Sequence, residues 1–263
     1  MSAKSSGIST ALESWYGRER GHYLLDRLQQ GLKPILDLTF GYHILQVGPV
    51  RTDSLLSGSP INHRIIAGVE SGQPVNLVAD ADELPLDSDS VDAVVAFHCL
   101  EFSEHPHRIL RELQRVLTPQ GHLILVGFNP WSLLGVSSRA RGWLGNELWR
   151  AHTPLSSHRV QDWLHLLGCE VESVQRFYSL PPMGRGRLRS WMENGDDWCQ
   201  RHRSPIGGLY AVHAIKQVAG HNRPAQKQRR RERLIGLAVP KPSAAPSPVP
   251  TAPVRQDSGD AAA

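Results

Sequence analysis

Cysteine, methionine and aromatic residues are scarce in this chain: three Cys, three Met and 6% Phe, Trp and Tyr in 263 residues. Cys99, Cys169 and Cys199 are odd in number, far apart, and form no Cys-x-x-Cys pair. That excludes a disulfide framework and a structural zinc site, and a reducing, cytoplasmic setting is expected. The opening MSAKSSGISTALESWYG has no apolar signal core, so secretion is not expected. Long hydrophobic runs are missing too. The longest weakly charged stretch, Val116 to Ser138, is interrupted by TPQG and by Asn129-Pro130, so no membrane span is expected. The net charge of +4 is unevenly placed. From His221 onward there are eight Lys or Arg and three acids; the remainder holds 21 basic and 22 acidic residues. The basic character therefore belongs to the tail, and nucleic-acid binding by the whole domain gets no support from charge.

What the chain does have is a core. Hydrophobic residues make up 40%, enough for one domain of about 200 residues with appendages. The informative stretch runs from Val78 to Pro130. Asn76 to Ala79 is a short apolar run ending at Asp80. Val91 to Phe97 is apolar apart from Asp92, which predicts a strand covered on both faces. In Arg108 to Leu117 the residues Ile109, Leu110, Leu113, Val116 and Leu117 recur at three- and four-residue steps. This is one face of a helix, with Pro106 suited to its first turn and Pro119 and Gly121 to its end. Leu123 to Gly127 is the next buried strand. Strand, loop, strand, helix, strand is an α/β unit.

Asp80-Ala81-Asp82-Glu83-Leu84-Pro85, then Val91-Asp92 entering a strand, then Arg111-Glu112-Leu113 through Arg115-Val116-Leu117 and Pro119 to Gly121, form a connected pattern. It resembles the class I S-adenosylmethionine-dependent methyltransferases, and within them the type 11 branch, which includes quinone-biosynthesis C-methyltransferases. The close resemblance covers about 50 residues, and a looser one runs from Leu38 to Val218. It implies an α/β fold with a Rossmann-like doubly wound sheet, S-adenosylmethionine as cofactor, and a methyl acceptor that the motifs do not identify, a small molecule being favoured. The implied organisation is an N-terminal helical extension (1–37), an α/β domain (38–219) with an insertion at 181–208, and a basic, then Pro/Ala-rich disordered tail (220–263).

The resemblance also assigns residues. His43 to Val47 is the first strand, followed by Gly48-Pro49-Val50. The family has an acid and then a Gly-rich turn here; this chain has Gln46 in the acid's place and keeps only Gly48. Gln46 is expected to meet the cofactor's ammonium group through its side-chain oxygen, and Gly48 to let the backbone approach it. Asp80 and Ala81 are expected at the adenine, the carboxylate accepting from its amino group. His98 is assigned to the cofactor site as well, and it is a weak candidate base, because an imidazole titrates near working pH. Methyl transfer from a sulfonium needs in-line positioning more than a dedicated acid or base. Asn129 and Trp131 leave the fifth strand at the ligand edge and are candidate acceptor contacts; Asn129-Pro130 is also an ordinary turn.

Two departures shape the remaining expectations. Only about seven residues separate the strand near His63 to Gly68 from the run Val75 to Ala79, too few for a crossover helix. The two are expected to be neighbours in an antiparallel hairpin, which would put Asn62 or His63, rather than Glu70, near the cofactor. The altered Gly loop keeps a second function open, a catalytically inactive methyltransferase-like binding or regulatory protein.

At the ends of the chain, Leu24, Leu25, Leu28, Leu32, Ile35 and Leu36 predict one N-terminal helix, kinked or ended by Pro34. Trp15, Tyr16 and Tyr23 are read as core aromatics or as a cap over the site. Trp131, Trp143 and Trp149 interleave with Arg139, Arg141 and Arg150, which suits a lid or an acidic-substrate wall. Val160, Trp163, Leu164 and Leu167 mark a helix capped by Ser156-Ser157 and stopped by Gly168. Within 181–208, Leu188, Trp191, Met192, Trp198 and Cys199 share helical spacing. The run Lys227 to Arg233 suits contact with nucleic acid or an acidic partner, or is simply solvated charge.

Overall fold

A computed structural model describes residues 3–50, 54–177 and 207–217. The helix expected at 188–199 and the tail from 220 lie outside the described residues. Those described belong to one unit, Met1–His221.

Seven strands form one sheet: β1 (His43–Val47), β2 (His63–Gly68), β3 (Leu77–Val78), β4 (Val91–Phe97), β5 (Leu117–Phe128), β6 (Cys169–Phe177) and β7 (Leu209–Lys216). Their order is β3-β2-β1-β4-β5-β7-β6. β1 to β5 pair in parallel, and β7 runs antiparallel between β5 and β6. β4 shows why the sheet is doubly covered. Its alternate residues Ala93, Val95 and Phe97 enter one core layer, and Val94 and Ala96 enter the other. A strand buried on both faces must be apolar throughout, as Val91 to Phe97 nearly is.

The first layer is closed by α1 (Ala3–Tyr16) and α2 (Glu19–Leu36). Leu24, Leu28, Leu32, Ile35 and Leu36 form the buried stripe of α2, and that helix continues through Pro34 to Leu36. Where one N-terminal helix was expected there are two, since α1 precedes it; its Leu12 and Tyr16 are buried in the same layer. The second layer is closed by α3 (Pro106–Val116) and α6 (Ser157–Leu166). In α3, Ile109, Leu110, Leu113 and Val116 are the buried face, and Pro106 occupies the first turn, where a missing N–H costs nothing. Ser156 caps α6 by accepting from the Arg159 N–H. The Trp- and Gly-rich stretch after β5 forms two further helices, α4 (Leu133–Trp143) and α5 (Glu147–Ala151).

The expected antiparallel hairpin is corrected. β2 and β3 are neighbours, but Ala67 pairs with Leu77 and Gly68 with Val78 in parallel. The connection is short enough because β3 pairs only with the last two residues of β2, so the chain retreats by a few ångströms rather than a full strand. Asn76 completes the approach. Its side-chain oxygen accepts from Ile66 N–H at 2.7 Å, its amide donates to the Arg64 carbonyl at 2.7 Å, and its N–H donates to the Ile66 carbonyl at 3.1 Å. One side chain imitates the ladder that a longer strand would supply. His63 consequently lies at the amino end of β2, 2.7 Å from His43 between Nδ1 atoms. Glu70 follows β2 at its carboxyl end.

Candidate functional site

In a parallel sheet the carboxyl ends of the strands share one edge, and ligands of open α/β folds sit there. A cleft of about 670 Å³ occupies this edge. It is lined by Val47 and Gly48 at the end of β1, Gly68 and Val69 at the end of β2, Asp80, Ala81 and Asp82 after β3, and Cys99 after β4. Its outer walls come from Phe102 to His107 at the start of α3, from Arg150, Thr153 and Leu155, from Trp163 of α6, and from Ile8 of α1. The volume lies within the roughly 300–1,000 Å³ typical of small-molecule sites.

Gly48 is required where it stands. Its φ is +155°, and a Cβ there would lie 1.9 Å from the Phe97 carbonyl oxygen. The first turn thus lies directly against the end of β4, and only glycine permits that approach. Ser9 of α1 donates to the Pro49 carbonyl, so the N-terminal helix closes over this turn. Of the sequence-predicted residues, Gly48, Asp80 and Ala81 share the cleft. Asp80 is exposed at its rim, in a tight turn where Glu83 N–H donates to the Asp80 carbonyl at 3.1 Å. Cys99 is a buried cleft wall whose thiol is pushed up to about 12 by burial. It is neutral, and so an apolar surface rather than a nucleophile.

Gln46 and His98 are not in the cleft wall. Gln46 is buried; its amide donates to the Val50 carbonyl at 3.4 Å, while Oε1 has no hydrogen-bond partner among the described residues. His98 is fully enclosed. Its ring stacks on Phe128 (4.1 Å, 18°), and both nitrogens are engaged, Nε2 with Tyr16 Oη at 2.6 Å and Nδ1 with Glu101 Oε2 at 2.8 Å. Because a carboxylate only accepts, Nδ1 carries the proton and the Tyr16 hydroxyl donates to Nε2. Glu101 Oε1 also accepts from Phe128 N–H at 2.5 Å, and His152 Nε2 lies 3.6 Å from it.

The electrostatics agree with that assignment. Burial pushes the Tyr16 hydroxyl well above its ordinary value and lowers His98, so both are neutral at pH 7. Burial alone would raise Glu101, but the adjacent His152 imidazole, 3.6 Å away, and the hydrogen bond with His98 outweigh it and hold the carboxyl below its ordinary value. The result is a buried chain from α1 to the segment after β4. His98 adopts φ +56° within it, an uncommon conformation for a residue with a side chain. The pattern held a signal for this chain in Tyr16 and Glu101, but their sequence separation hid it.

Asn129 and Trp131 lie outside the cleft lining as well. Asn129 is buried and builds the turn after β5: its amide donates to the Gly207 carbonyl at 2.9 Å and its oxygen accepts from Trp131 N–H at 3.1 Å. Trp131 is exposed, with the Arg139 guanidinium 5.9 Å from its ring centroid. A larger groove of about 1250 Å³ lies between the α1–α2 junction, α4 and α5; Trp15, Arg18, Arg20 and Arg141 are among its lining. Among the described residues no group of three or more His, Cys, Asp or Glu could hold a metal ion, and no helix is long and apolar enough to cross a membrane.

Residues 61–125 match a family model described as a methyltransferase domain. The chain is 29% identical over 234 residues to the uncharacterized protein YafS of Escherichia coli strain K12, covering 87% of this chain and 91% of that one. It is 28% identical over 165 residues to a demethylmenaquinone methyltransferase of Clavibacter sepedonicus, covering 62% of each. Among solved structures, a Thermotoga maritima S-adenosylmethionine-dependent methyltransferase, described as a possible histamine N-methyltransferase, superposes with a TM-score of 0.58. That similarity is at 18% identity and covers 82% of this chain and 100% of the other. The resemblance to class I methyltransferases is thus upheld, and the chain has their Rossmann-like α/β fold.

Proposed function

Starting from that fold, we propose that the cleft binds S-adenosylmethionine and that the protein is a methyltransferase acting on a small-molecule acceptor. The observation that carries the reading is the convergence of Gly48, Gly68, Asp80, Ala81 and Cys99 on one cleft at the carboxyl edge of β1 to β4. When bound, the cofactor supplies a methyl group on a positively charged sulfur.

The chain's own residues supply position. Gly48 leaves its turn open to close backbone approach. Ala81 is small enough to admit a flat ring beside the Asp80 carboxylate, which accepts from the adenine amino group. Glu70, one residue beyond the cleft-lining Val69 at the carboxyl end of β2, is the acid we assign to the ribose hydroxyls. The buried Tyr16–His98–Glu101 chain acts by positioning: it holds the segment carrying Cys99 and Leu100 rigidly against the cleft. His98 serves there rather than as a base, since neither ring nitrogen is available. Gln46 supports the first turn through Val50. Ile8, Phe102 and Leu155 contribute apolar wall to the cleft, and methyl transfer in a pre-arranged site needs no acid–base pair.

Calorimetric titration of the full chain with S-adenosylmethionine and with its demethylated product tests the reading. Micromolar binding is expected. A charge-assisted hydrogen bond contributes about 1.5–3 kcal/mol, so Asp80→Ala should weaken binding roughly ten- to hundredfold. Gln46→Ala should cost less. Absence of binding to the wild-type chain would refute the proposal, and wild-type affinity in Asp80→Ala would refute the adenine placement.

A further inference from the structure

Helix α4 is built inside out. Its inward positions are Gly135, Ser138 and Gly142, all buried, and a Cβ on Gly135 would lie 2.3 Å from the Asn129 carbonyl oxygen. The backbone therefore seats directly on the turn after β5. The large apolar residues face out: Leu133, Val136, Trp143 and Leu144 are exposed, the last two by 92% and 87%, and Trp131 precedes them. Steps of three, seven and one residue put these four on one face. A domain that buries its other helices by their apolar stripes gains nothing in water from this arrangement.

We propose that this face docks on an anionic lipid surface. Charge complementarity favours that occupant. No Asp or Glu occurs between Glu112 and Glu147, while Arg139 and Arg141 rise from the helix beside the apolar stripe. Tryptophans stand before the helix and at its end, 12 residues apart, and amphipathic indoles suit the headgroup boundary. The stripe is also small. About five apolar side chains match the shallow footprint of an interfacial helix, whereas a stable protein interface takes roughly 20–30 residues a side. The docking face follows β5 at the same sheet edge as the cleft, but the inference does not depend on what the cleft binds.

Co-sedimentation of the full chain with vesicles of phosphatidylcholine alone, or with one-quarter phosphatidylglycerol, tests it. Binding is expected only to the anionic vesicles and should weaken as salt rises. The double variant Trp143→Ser, Leu144→Ser should lower the partition coefficient at least tenfold at unchanged melting temperature, because both side chains are exposed. Failure of the wild type to sediment, or equal partitioning of the variant, would overturn the proposal. So would a dimer in sedimentation velocity that the double variant dissolves, since the face would then belong to a second copy. A melting temperature lowered by several degrees would likewise overturn it, by showing that the face is covered within the chain.

Discussion

Replacing Glu101 by Gln tests whether the buried chain between α1 and the segment after β4 holds the site together. The substitution keeps shape and volume, so packing is constant and only hydrogen bonding changes. Glu101 accepts on both oxygens, from Phe128 N–H at 2.5 Å and from His98 Nδ1 at 2.8 Å. Glutamine offers one acceptor oxygen, and its amide would face either a backbone N–H or a protonated imidazole nitrogen. Removing the charge also removes a desolvation cost, but the direction of the Glu101 shift decides between the effects. A carboxyl held below its ordinary value despite burial is one whose ionised form the fold favours. The net loss should be that of a charge-assisted bond, about 1.5–3 kcal/mol. For a domain of this size that lowers the melting temperature by roughly 3–12 °C. Because the folded value is depressed, this stability is present above the unfolded value near 4.3 and is lost only as pH falls through the folded one. The deficit should therefore be constant between pH 7.5 and 5.5. Tyr16→Phe removes only the far bond, 2.6 Å from Tyr16 Oη to His98 Nε2, and should cost about 0.5–1.5 kcal/mol. The double variant should lose measurably less than the sum, since both act through one imidazole. Thermal unfolding of the four proteins measures this. A Glu101→Gln melting temperature within 1 °C of wild type, or strict additivity, would refute the reasoning.

Two further predictions rest on separate features. Gly48→Ala should destabilise the fold and abolish cofactor titration, because its Cβ would lie 1.9 Å from the Phe97 carbonyl oxygen; an alanine variant that binds normally would show that the first turn tolerates displacement. The stacked pair His122 and His213, 2.9 Å apart between ring nitrogens, should make stability fall in mild acid. Burial, then the charge of His122, lowers His213 to about 4, so the unfolded chain takes up protons first, and the contribution is complete above pH 6.5 and is lost on descent towards 4. Partial solvent exposure limits the effect to about 1–2 kcal/mol, and His213→Gln should flatten the melting temperature between pH 7 and 4.5.

The sequence by itself determined what periodicity and local chemistry can carry. Val91 to Phe97 could only be a strand covered on both faces, and the stripe Ile109, Leu110, Leu113, Val116 could only be the inner side of a helix. The family resemblance, carried by contiguous motifs, pointed to Asp80, Ala81 and Gly48, and all three line the cleft. Tertiary structure decided the rest. The direction of β3 turned on Asn76, whose amide bonds to Arg64 and Ile66 across 10 to 12 residues; no local rule counts a side chain as part of a ladder. His98 was placed at the right strand end but beneath the cleft, because Tyr16, 82 residues away, holds its Nε2, and the distance along the chain conceals that partner. The composition of α4 was visible, yet which of its faces would be buried was not. Helical periodicity marks two sides of a helix, and only close approach of Gly135 to the Asn129 carbonyl chose the small side for the inside.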